Sequence, residues 1–350
     1  MGQGTGRYSV AFPKRWWYPV CRSASLGRRP LGVTLMERPL ALFREGGGRP
    51  CAVLDRCAHR NAPLSLGSVQ AGEIQCPYHG WRYDGEGRCR AVPGLEAEAS
   101  SPTRDVEAHA AVEQDGFVWV WGEPGGEPSG RPFALPGLPA TTVFPCDLDC
   151  TLHAALENTL DVPHTAFLHG GLFRGTKTKE LRAVRRNLDD GCEVEFVGES
   201  VGFGRIQGGP FASKVFQHWD RFCLPSIAQV EYRVEGWLRI FNTVLHLPVA
   251  PFKTKAWFVL QWKSPLPAAL VRPIVQLRGR KVLGQDAGML AQQSERIRRF
   301  GGERFSSTEL DLLGAAIWRL LRQAERAESA SLADGDADGP LPGTEVTFRV

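Results

Sequence analysis

Two short segments of this chain each pair a cysteine with a histidine. The first hook is Cys57-Ala58-His59, and the second hook is Cys76-Pro77-Tyr78-His79. Thiolate and imidazole groups are ligands for iron–sulfur clusters, zinc and copper. The residues between the hooks are long enough to fold back as a hairpin. The four side chains can therefore meet at one metal site.

The distribution of ligand types between the hooks bears on which metal they hold. Zinc fingers pair Cys with Cys in one hook and His with His in the other, whereas each hook here is mixed. In a Rieske centre one iron takes two cysteines and the other takes two histidines. Two mixed hooks that reach over one [2Fe-2S] cluster fit that arrangement. A structural Cys2His2 zinc site is the alternative.

The residues around the hooks resemble the cluster loops of the Rieske family. The similarity is carried by His59-Arg60 and by the run CPYHGW, which begins at Cys76 and is followed by Tyr83-Asp84. Gly80 within that run would let the chain turn tightly beside a metal. The resemblance implies that the cluster is held by four residues: Cys57, His59, Cys76 and His79. Taken alone it indicates an electron carrier, because the family contains both ferredoxins and oxygenases.

A second group of metal-binding residue types follows in the segment NTLDVPHTAFLH, which ends at His169. Asp161 and His164 are three residues apart and share a helix face. His169 is five residues beyond His164, about 140° round an ideal helix. Both imidazoles can reach one metal only if the helix is broken there, and Pro163 favours a break. Two unrelated histidines are the alternative explanation.

In combination with the hooks, the spacing D-x2-H-x4-H resembles the mononuclear iron site of the Rieske non-haem iron oxygenases. The likeness extends over nearly the whole chain in the right order. Such a site takes two His and one carboxylate and leaves positions open for O2. The resemblance implies Fe(II) held by His164, His169 and a carboxylate far downstream. Asp286 is the candidate for that carboxylate, with Asp220 as the second choice.

The resemblance further implies the terminal oxygenase component of a multi-component monooxygenase. Electrons would come from NAD(P)H through a separate reductase, a ferredoxin or both, because the chain has no P-loop and Gly202–Gly208 lacks the spacing of a dinucleotide-binding loop. A pure electron-transfer Rieske protein and a zinc-stabilised binding module are the rival interpretations. An iron count and the colour of the purified protein distinguish them.

The family resemblance also implies assembly. Within one chain the two metals of such an oxygenase are too far apart for useful electron transfer, and a head-to-tail homotrimer brings each cluster beside a neighbour's iron. Closed cyclic symmetry satisfies a heterologous interface without leaving an open end. Asp161 is the expected catalytic carboxylate, bridging an iron-bound His and a cluster His of the next chain. The alternative is that Asp161 only orients His164 within its own chain.

The elements that must position these residues predict an α+β fold in two domains. Short runs rich in Val, Phe and Trp, such as Phe117–Trp121, indicate a small antiparallel β domain over residues 1–138. A Pro/Gly-rich linker at about residues 122–139 leads to a second domain over residues 139–350, which the family resemblance implies to be a helix-grip catalytic domain. That domain should combine an antiparallel sheet with helices at Leu152–His169, Leu283–Phe300 and Ser306–Ser329. The last helix would begin at a capping box, Ser306 to Glu309.

Composition and charge exclude several classes of protein. The chain has 350 residues, 43% of them hydrophobic and 23% charged, which is ordinary for a globular protein of about two domains. A net charge of +4 gives no argument for nucleic acid. No apolar run has the length of a transmembrane span or of a signal-peptide core. We therefore expect a cytoplasmic protein, and contact with a membrane surface is left open.

The nine cysteines show no disulfide-framework spacing. Seven of them are expected to be reduced buried thiols, and the C-x3-C pair Cys146 and Cys150 is only a weak indication of zinc. Two basic clusters, at residues 278–281 and 296–299, are explained by a solvated helix face or by docking of an acidic redox partner.

The expected substrate is a small apolar molecule that is hydroxylated, demethylated or desaturated. The opening Trp17-Tyr18-Pro19-Val20 resembles a branch of the family that acts on large fused rings, which favours a sterol-like polycycle. A small methoxylated or N-methylated aromatic compound is the alternative. Five side chains are candidates to line an apolar pocket: Phe167, Leu172, Phe173, Phe203 and Phe216.

Overall fold

The computed structural model of the protein describes residues 8–170, 180–197, 216–330 and 343–349. The chain separates into two compact units, Pro13–Ala134 and Leu135–Val350, and residues 8–12 belong to the second. Those N-terminal residues are tied to the second unit by hydrogen bonds. The Ser9 N–H donates to Glu303 Oε2 at 2.8 Å, and the Phe12 N–H donates to Glu325 Oε1 at 3.0 Å.

The first unit is built of eleven short strands among the described residues, in three antiparallel sheets. The strands are β1 (Trp17–Arg22), β2 (Leu31–Leu35), β3 (Arg38–Arg44), β4 (Pro50–Leu54), β5 (Ser68–Gln70), β6 (Glu73–Gln75), β7 (Arg82–Tyr83), β8 (Cys89–Ala91), β9 (Ala108–His109), β10 (Ala111–Gln114) and β11 (Phe117–Trp121). The strand orders in the three sheets are β1-β11-β10, β2-β3-β4-β9 and β5-β6-β7-β8. The predicted strand at β11 has the predicted bounds, and all five of its residues are buried.

The second unit contains an eight-stranded antiparallel sheet. Its strands are β12 (Ala140–Leu148), β13 (Glu180–Leu188), β14 (Gly191–Val197), β15 (Phe216–Cys223), β16 (Ile227–Val234), β17 (Leu238–Ala250), β18 (Lys253–Lys263) and β19 (Thr344–Arg349). Their order in the sheet is β12-β18-β17-β16-β15-β14-β13-β19. Four helices are described with it: α1 (Leu152–Leu160), α2 (His164–Phe167), α3 (Ala268–Arg299) and α4 (Gly314–Ala330). The predicted α+β class, with an antiparallel sheet and C-terminal helices, is confirmed.

One face of this sheet carries the core of the second unit. Helix α1 packs against β15, β16 and β17, α3 packs against β12, and α4 packs against α1 and β14. Alternate strand residues such as Val194, Phe222 and Val244 point to this face and are fully buried. The amphipathic α4 contributes Ile317 and Leu321 to the same core. The sheet and the three longer helices thus hold α2 and the ends of α1 and α3 in place.

The helix boundaries differ from those predicted from the sequence. Helix α3 begins at Ala268 instead of Leu283, because packing against β12 offsets the weak propensity of a segment that contains Pro273 and Gly279. Helix α4 begins at Gly314, and the predicted capping box does not form. The Thr308 N–H instead donates to Asp311 Oδ2 at 2.6 Å and makes a turn.

No described helix is long and apolar enough to cross a membrane. All nine cysteines are free, and seven are buried while Cys146 and Cys223 are partly exposed.

Candidate metal centres

The first hook is a tight loop that follows β4. Its ends are fixed by two backbone hydrogen bonds, from the Cys57 N–H to Ala62 O and from the Asn61 N–H to Cys57 O, both 2.9 Å long. Asn61 takes a left-handed conformation with φ of 61°, which asparagine tolerates better than most residues. The loop therefore presents Cys57 and His59 from a closed turn.

The second hook connects β6 to β7. The Cys76 N–H donates to Trp81 O at 2.8 Å, and the Gly80 N–H donates to Cys76 O at 3.2 Å. Gly80 has a φ of +73°, and a Cβ at this position would lie 3.1 Å from Pro93 Cγ. The predicted tight turn at Gly80 is therefore present, and it depends on the missing side chain.

The two hooks face each other. The rings of His59 and His79 lie edge to face with centroids 4.5 Å apart, and His59 stacks on Trp81 at 4.8 Å with its plane tilted by 2°. Cys57 and Cys76 are 1% and 3% exposed. The thiols of Cys57 and Cys76 therefore lie in the core of the first unit, and the imidazoles of His59 and His79 lie beside them.

The polar atoms of the hooks fit a bound cluster. The Nδ1 atom of His59 is buried and has no hydrogen-bond partner, so it is available as a ligand. Burial raises the pKa of the Cys76 thiol, and the adjacent Cys57 raises it further. A bound metal would offset that burial by deprotonating the thiol. Burial, with His79 and Arg60, lowers the pKa of His59 and favours the neutral ring that binds metal.

A tyrosine supports the first hook from within the same core. The Tyr83 hydroxyl lies 3.3 Å from Cys57 Sγ and accepts a hydrogen bond from the Ala58 N–H at 3.3 Å. Burial raises the pKa of Tyr83, and Cys57 adds to the effect. The phenol therefore keeps its proton, which it can donate to the sulfur.

The second candidate centre is placed by a break between two helices. Helix α1 is capped by Thr151, whose Oγ1 accepts a hydrogen bond from the Ala154 N–H at 3.1 Å. It ends at Leu160, and the next residue, Asp161, has a φ of −87° and a ψ of 104°, which are not helical. Pro163 immediately precedes the short α2. The predicted break is present, so the predicted single helix over residues 152–169 is two helices.

The break brings His164, His169 and Asp286 together. Asp286 Oδ1 lies 3.0 Å from His169 Nε2 and 3.7 Å from His164 Nε2. One ligand atom from each residue lies within 4.8 Å of the other two, and among the described residues this is the group with the spacing of a single metal ion.

The Nδ1 atoms of the two histidines face supporting residues. Asp161 Oδ2 lies 3.4 Å from His164 Nδ1, and His169 Nδ1–H donates to Gln285 Oε1 at 3.0 Å. Metal-bound imidazoles are commonly oriented by such contacts. Gln285 was not predicted from the sequence. The one available signal was its position next to Asp286.

Burial and charge at this centre fit a divalent metal. Burial lowers the pKa of His169, but Asp286 and Gln285 outweigh it, so that the pKa is raised overall. Asp286 Oδ1 is buried without a hydrogen-bond partner. An orphaned carboxylate oxygen between two imidazole nitrogens would be satisfied by a cation. Asp220 does not join this group, because it pairs with His218 Nε2 at 2.9 Å on β15.

A cavity of about 1010 Å³ opens beside this centre within the second unit. It is lined by the end of α1, by α2, by one side of α3 and by the segment before α4, and it includes Asp161 and His164. Phe167 lines it but is 89% exposed, and Phe216 stacks on Tyr232. Leu172, Phe173 and Phe203, which were also expected to line an apolar pocket, lie outside the described residues.

The chain matches two family models, one in each of its units. A family model described as the Rieske [2Fe-2S] domain matches residues 16–108, and one described as the vanillate O-demethylase oxygenase C-terminal domain matches residues 148–327. The chain is 31% identical to the vanillate O-demethylase oxygenase subunit of Pseudomonas sp., over 92% of this chain and 98% of that protein. The chain belongs to the Rieske non-haem iron oxygenases.

Two further relatives bear on the fold and on the length of the chain. It is 28% identical to the chloroplastic chlorophyllide a oxygenase of Chlamydomonas reinhardtii over 92% of this chain, but the match spans only 50% of that longer protein. A crystal structure of dicamba monooxygenase bound to dicamba superimposes with a TM-score of 0.78 at 22% identity, covering 92% of this chain and all of the other. At 22% identity, this structural similarity shows the fold alone.

Proposed function

We propose that the protein is the terminal oxygenase component of a multi-component monooxygenase that demethylates a small methoxylated or N-methylated aromatic compound. The observation that carries the proposal is the C-terminal family match. The match to the vanillate O-demethylase domain spans residues 148–327, which include the convergent His164, His169 and Asp286. A relative of the same name matches over almost its full length.

The residues have separate roles in this proposal. Cys57, His59, Cys76 and His79 would hold the [2Fe-2S] cluster, and His164, His169 and Asp286 would hold Fe(II). The bound groups would supply single electrons and a site at which O2 is activated. Asp161 Oδ2, 3.4 Å from His164 Nδ1, would orient that imidazole, and Gln285 would orient His169 through the hydrogen bond that it accepts from Nδ1–H. The residue roles and the division of the chain near residue 138 are part of the proposal.

Electrons have to come from outside the chain. We infer that NAD(P)H reduces a separate reductase, with or without a ferredoxin, which then reduces this component. The basic clusters on α3, at residues 278–281 and 296–299, give a cationic surface to which an acidic redox partner would be attracted.

The substrate preference differs from the one first favoured on the sequence. A sterol-like polycycle has less support than a small aromatic ether, because the near-full-length relative is a vanillate demethylase. A large fused ring remains a second candidate, since the chlorophyllide a oxygenase matches 92% of this chain.

Turnover with a defined panel tests the substrate proposal. Reduced protein with both metals is exposed to O2 with vanillate, other methoxybenzoates, an N-methylated xanthine or a sterol. We expect demethylated product and one formaldehyde per O2 consumed with a member of the first three groups. Coupled product formation with the sterol alone would overturn the small-aromatic proposal and keep the oxygenase class. An absence of cluster-dependent O2 consumption with every compound would overturn the oxygenase itself.

We also propose a homotrimer in which Asp161 contacts the neighbouring chain. The side chain of Asp161 is 37% exposed although its Oδ2 faces His164, which leaves its other oxygen available to a partner. Asp161→Ala should keep both metals but slow substrate-triggered oxidation of the cluster. Sedimentation should show a trimer. A fully active monomer, or normal single-turnover rates in Asp161→Ala, would contradict this part of the proposal.

A further inference from the structure

An acidic side chain lies one helical turn from Asp161 and has no role in the scheme above. Glu157 is on α1, four residues before Asp161, and residues at this spacing are neighbours on a helix face. Glu157, Asp161 and His164 all line the cavity beside the iron centre. Two carboxylates therefore lead along one helix face towards the imidazole of a proposed iron ligand.

The carboxylate of Glu157 occupies a space that a glycine leaves free. A Cβ placed on Gly314, the first residue of α4, would overlap Glu157 Oε1. The same stretch of backbone is held to α1 by His153, whose Nε2–H donates to Gly314 O at 2.8 Å. The absence of a side chain at Gly314 thus lets the acid lie between α1 and the beginning of α4.

The surroundings of Glu157 favour its protonated form. Burial is the largest effect and raises the pKa of Glu157. His153 on α1 opposes it, whereas Asp161 just after α1, together with Asp311 and Glu303 in the segment before α4, raises the pKa further. Arg304 also lines the cavity. Among the described residues, no hydrogen bond or ion pair holds the Glu157 carboxyl group, which leaves it able to exchange a proton with cavity water.

The reaction of the proposed oxygenase consumes protons at this place. Insertion of one oxygen atom into a C–H bond follows RH + O2 + 2e⁻ + 2H⁺ → ROH + H2O, and the redox partner supplies the two electrons. An acid that lines the cavity and whose pKa is raised by burial is suited to supply these protons.

We propose that Glu157 is the proton-storing residue of the cavity beside this centre, and that Gly314 keeps the place of its carboxyl group. The inference rests on the proposed oxygenase function and extends it to the source of the protons. Glu157 acts through the water of the cavity, so it is a relay residue.

Infrared titration tests the proposal without turnover. The wild-type holoprotein should show a protonated-carboxyl band that titrates above the ordinary glutamate range and is absent from Glu157→Gln. Asp161→Asn removes a like charge, so the same band should titrate at lower pH in that variant. Gly314→Ala, in a helix where alanine is favoured over glycine, should displace the carboxyl group and also shift the band. Glu295→Gln on the exposed face of α3 is the matched control and should change nothing in this range.

Kinetics provide the second measurement, with vanillate as the substrate. With unchanged iron content and melting temperature, Glu157→Gln should slow single-turnover product formation by roughly 10- to 100-fold, the lower part of the range for general acid catalysis. It should also enlarge the solvent deuterium isotope effect and increase release of hydrogen peroxide. A structural role would not change the isotope effect.

The outcomes separate the two proposals. An infrared titration that is the same in wild type and Glu157→Gln, or equal rates and isotope effects in the two proteins, would overturn the role of Glu157. If no compound of the panel is turned over while the band behaves as described, the oxygenase proposal fails and the proton storage by Glu157 stands.

Discussion

The two candidate metal centres of this protein are assembled over very different lengths of chain. All four residues of the hooks lie between Cys57 and His79, and their loops are closed by hydrogen bonds within each loop. The candidate iron centre joins a helix break at Pro163 to the middle of α3, and 116 residues separate His169 from its partner Gln285. The first site depends on local backbone geometry, and the second depends on the packing of three helices on one sheet.

This difference predicts how each candidate centre responds to a substitution. A change in the hooks should act on the cluster and leave the second unit intact. A change on α3 should act on the iron without reaching the hooks. The four variants below test this separation, beginning with the largest expected effect.

Replacing Asp286 by alanine should remove the iron and leave the cluster. Loss of a supporting residue typically costs 10- to 100-fold in metal affinity, so loss of the ligand carboxylate should lower iron affinity by roughly 1000-fold or more. Metal analysis and the visible spectrum would show two irons per chain where the wild type has three, with the cluster absorption unchanged. Glu295→Ala, on the exposed face of the same helix, is the control. Iron retained in Asp286→Ala would show that the third ligand is elsewhere, with Asp220 the next residue to test.

Replacing Cys76 by serine should have the opposite result. The cluster and its reduced-state EPR signal should be lost, the mononuclear iron should remain, and turnover should fall below detection because electrons no longer enter. Cys89→Ser removes another fully buried thiol of the same core and controls for the effect on packing. Loss of both metals in Cys76→Ser would break the proposed independence of the two centres.

The same contrast explains what could be predicted from the sequence. The hooks could be predicted from the sequence because their candidate ligands lie close together in the chain, with Gly80 at a position that needs a left-handed backbone. The break at Pro163 could be predicted for the same reason. The contact of Gln285 could not be predicted, because it forms only when α3 packs on the sheet. The starts of α3 and α4 were also missed, since tertiary packing and the Asp311 turn decided them.

A smaller effect is expected at Gln285. Gln285→Leu keeps most of the side-chain volume but removes the acceptor that holds His169 Nδ1–H at 3.0 Å. Iron affinity should fall by roughly 10- to 100-fold, measured by competition with a coloured iron chelator. Gln292→Leu, exposed on the same helix, should bind iron normally. An unchanged affinity in Gln285→Leu would mean that packing alone orients His169.

The smallest effect belongs to Tyr83, which supports the cluster as Gln285 supports the iron. The buried phenol lies 3.3 Å from Cys57 Sγ, and a hydrogen bond to a ligand sulfur stabilises the more negative, reduced cluster. Tyr83→Phe should therefore lower the reduction potential, by roughly 30–60 mV, since about 59 mV corresponds to a factor of ten for one electron. It should also cost about 1 kcal/mol of stability, because the Ala58 N–H loses its acceptor.

A redox titration followed by EPR measures this shift, and Tyr78→Phe is the control because Tyr78 is 66% exposed. Equal shifts in the two variants would assign the effect to the general polarity of the loop instead of to one hydrogen bond. A shift confined to Tyr83→Phe, with iron affinity unchanged, would show that each centre is adjusted by its own supporting residue. Tyr83 lies 26 residues from the proposed ligand that it contacts and on β7, the strand that follows the second hook, so the proposed electron-accepting site could change its potential through local substitutions that leave the proposed oxygen-binding site as it is.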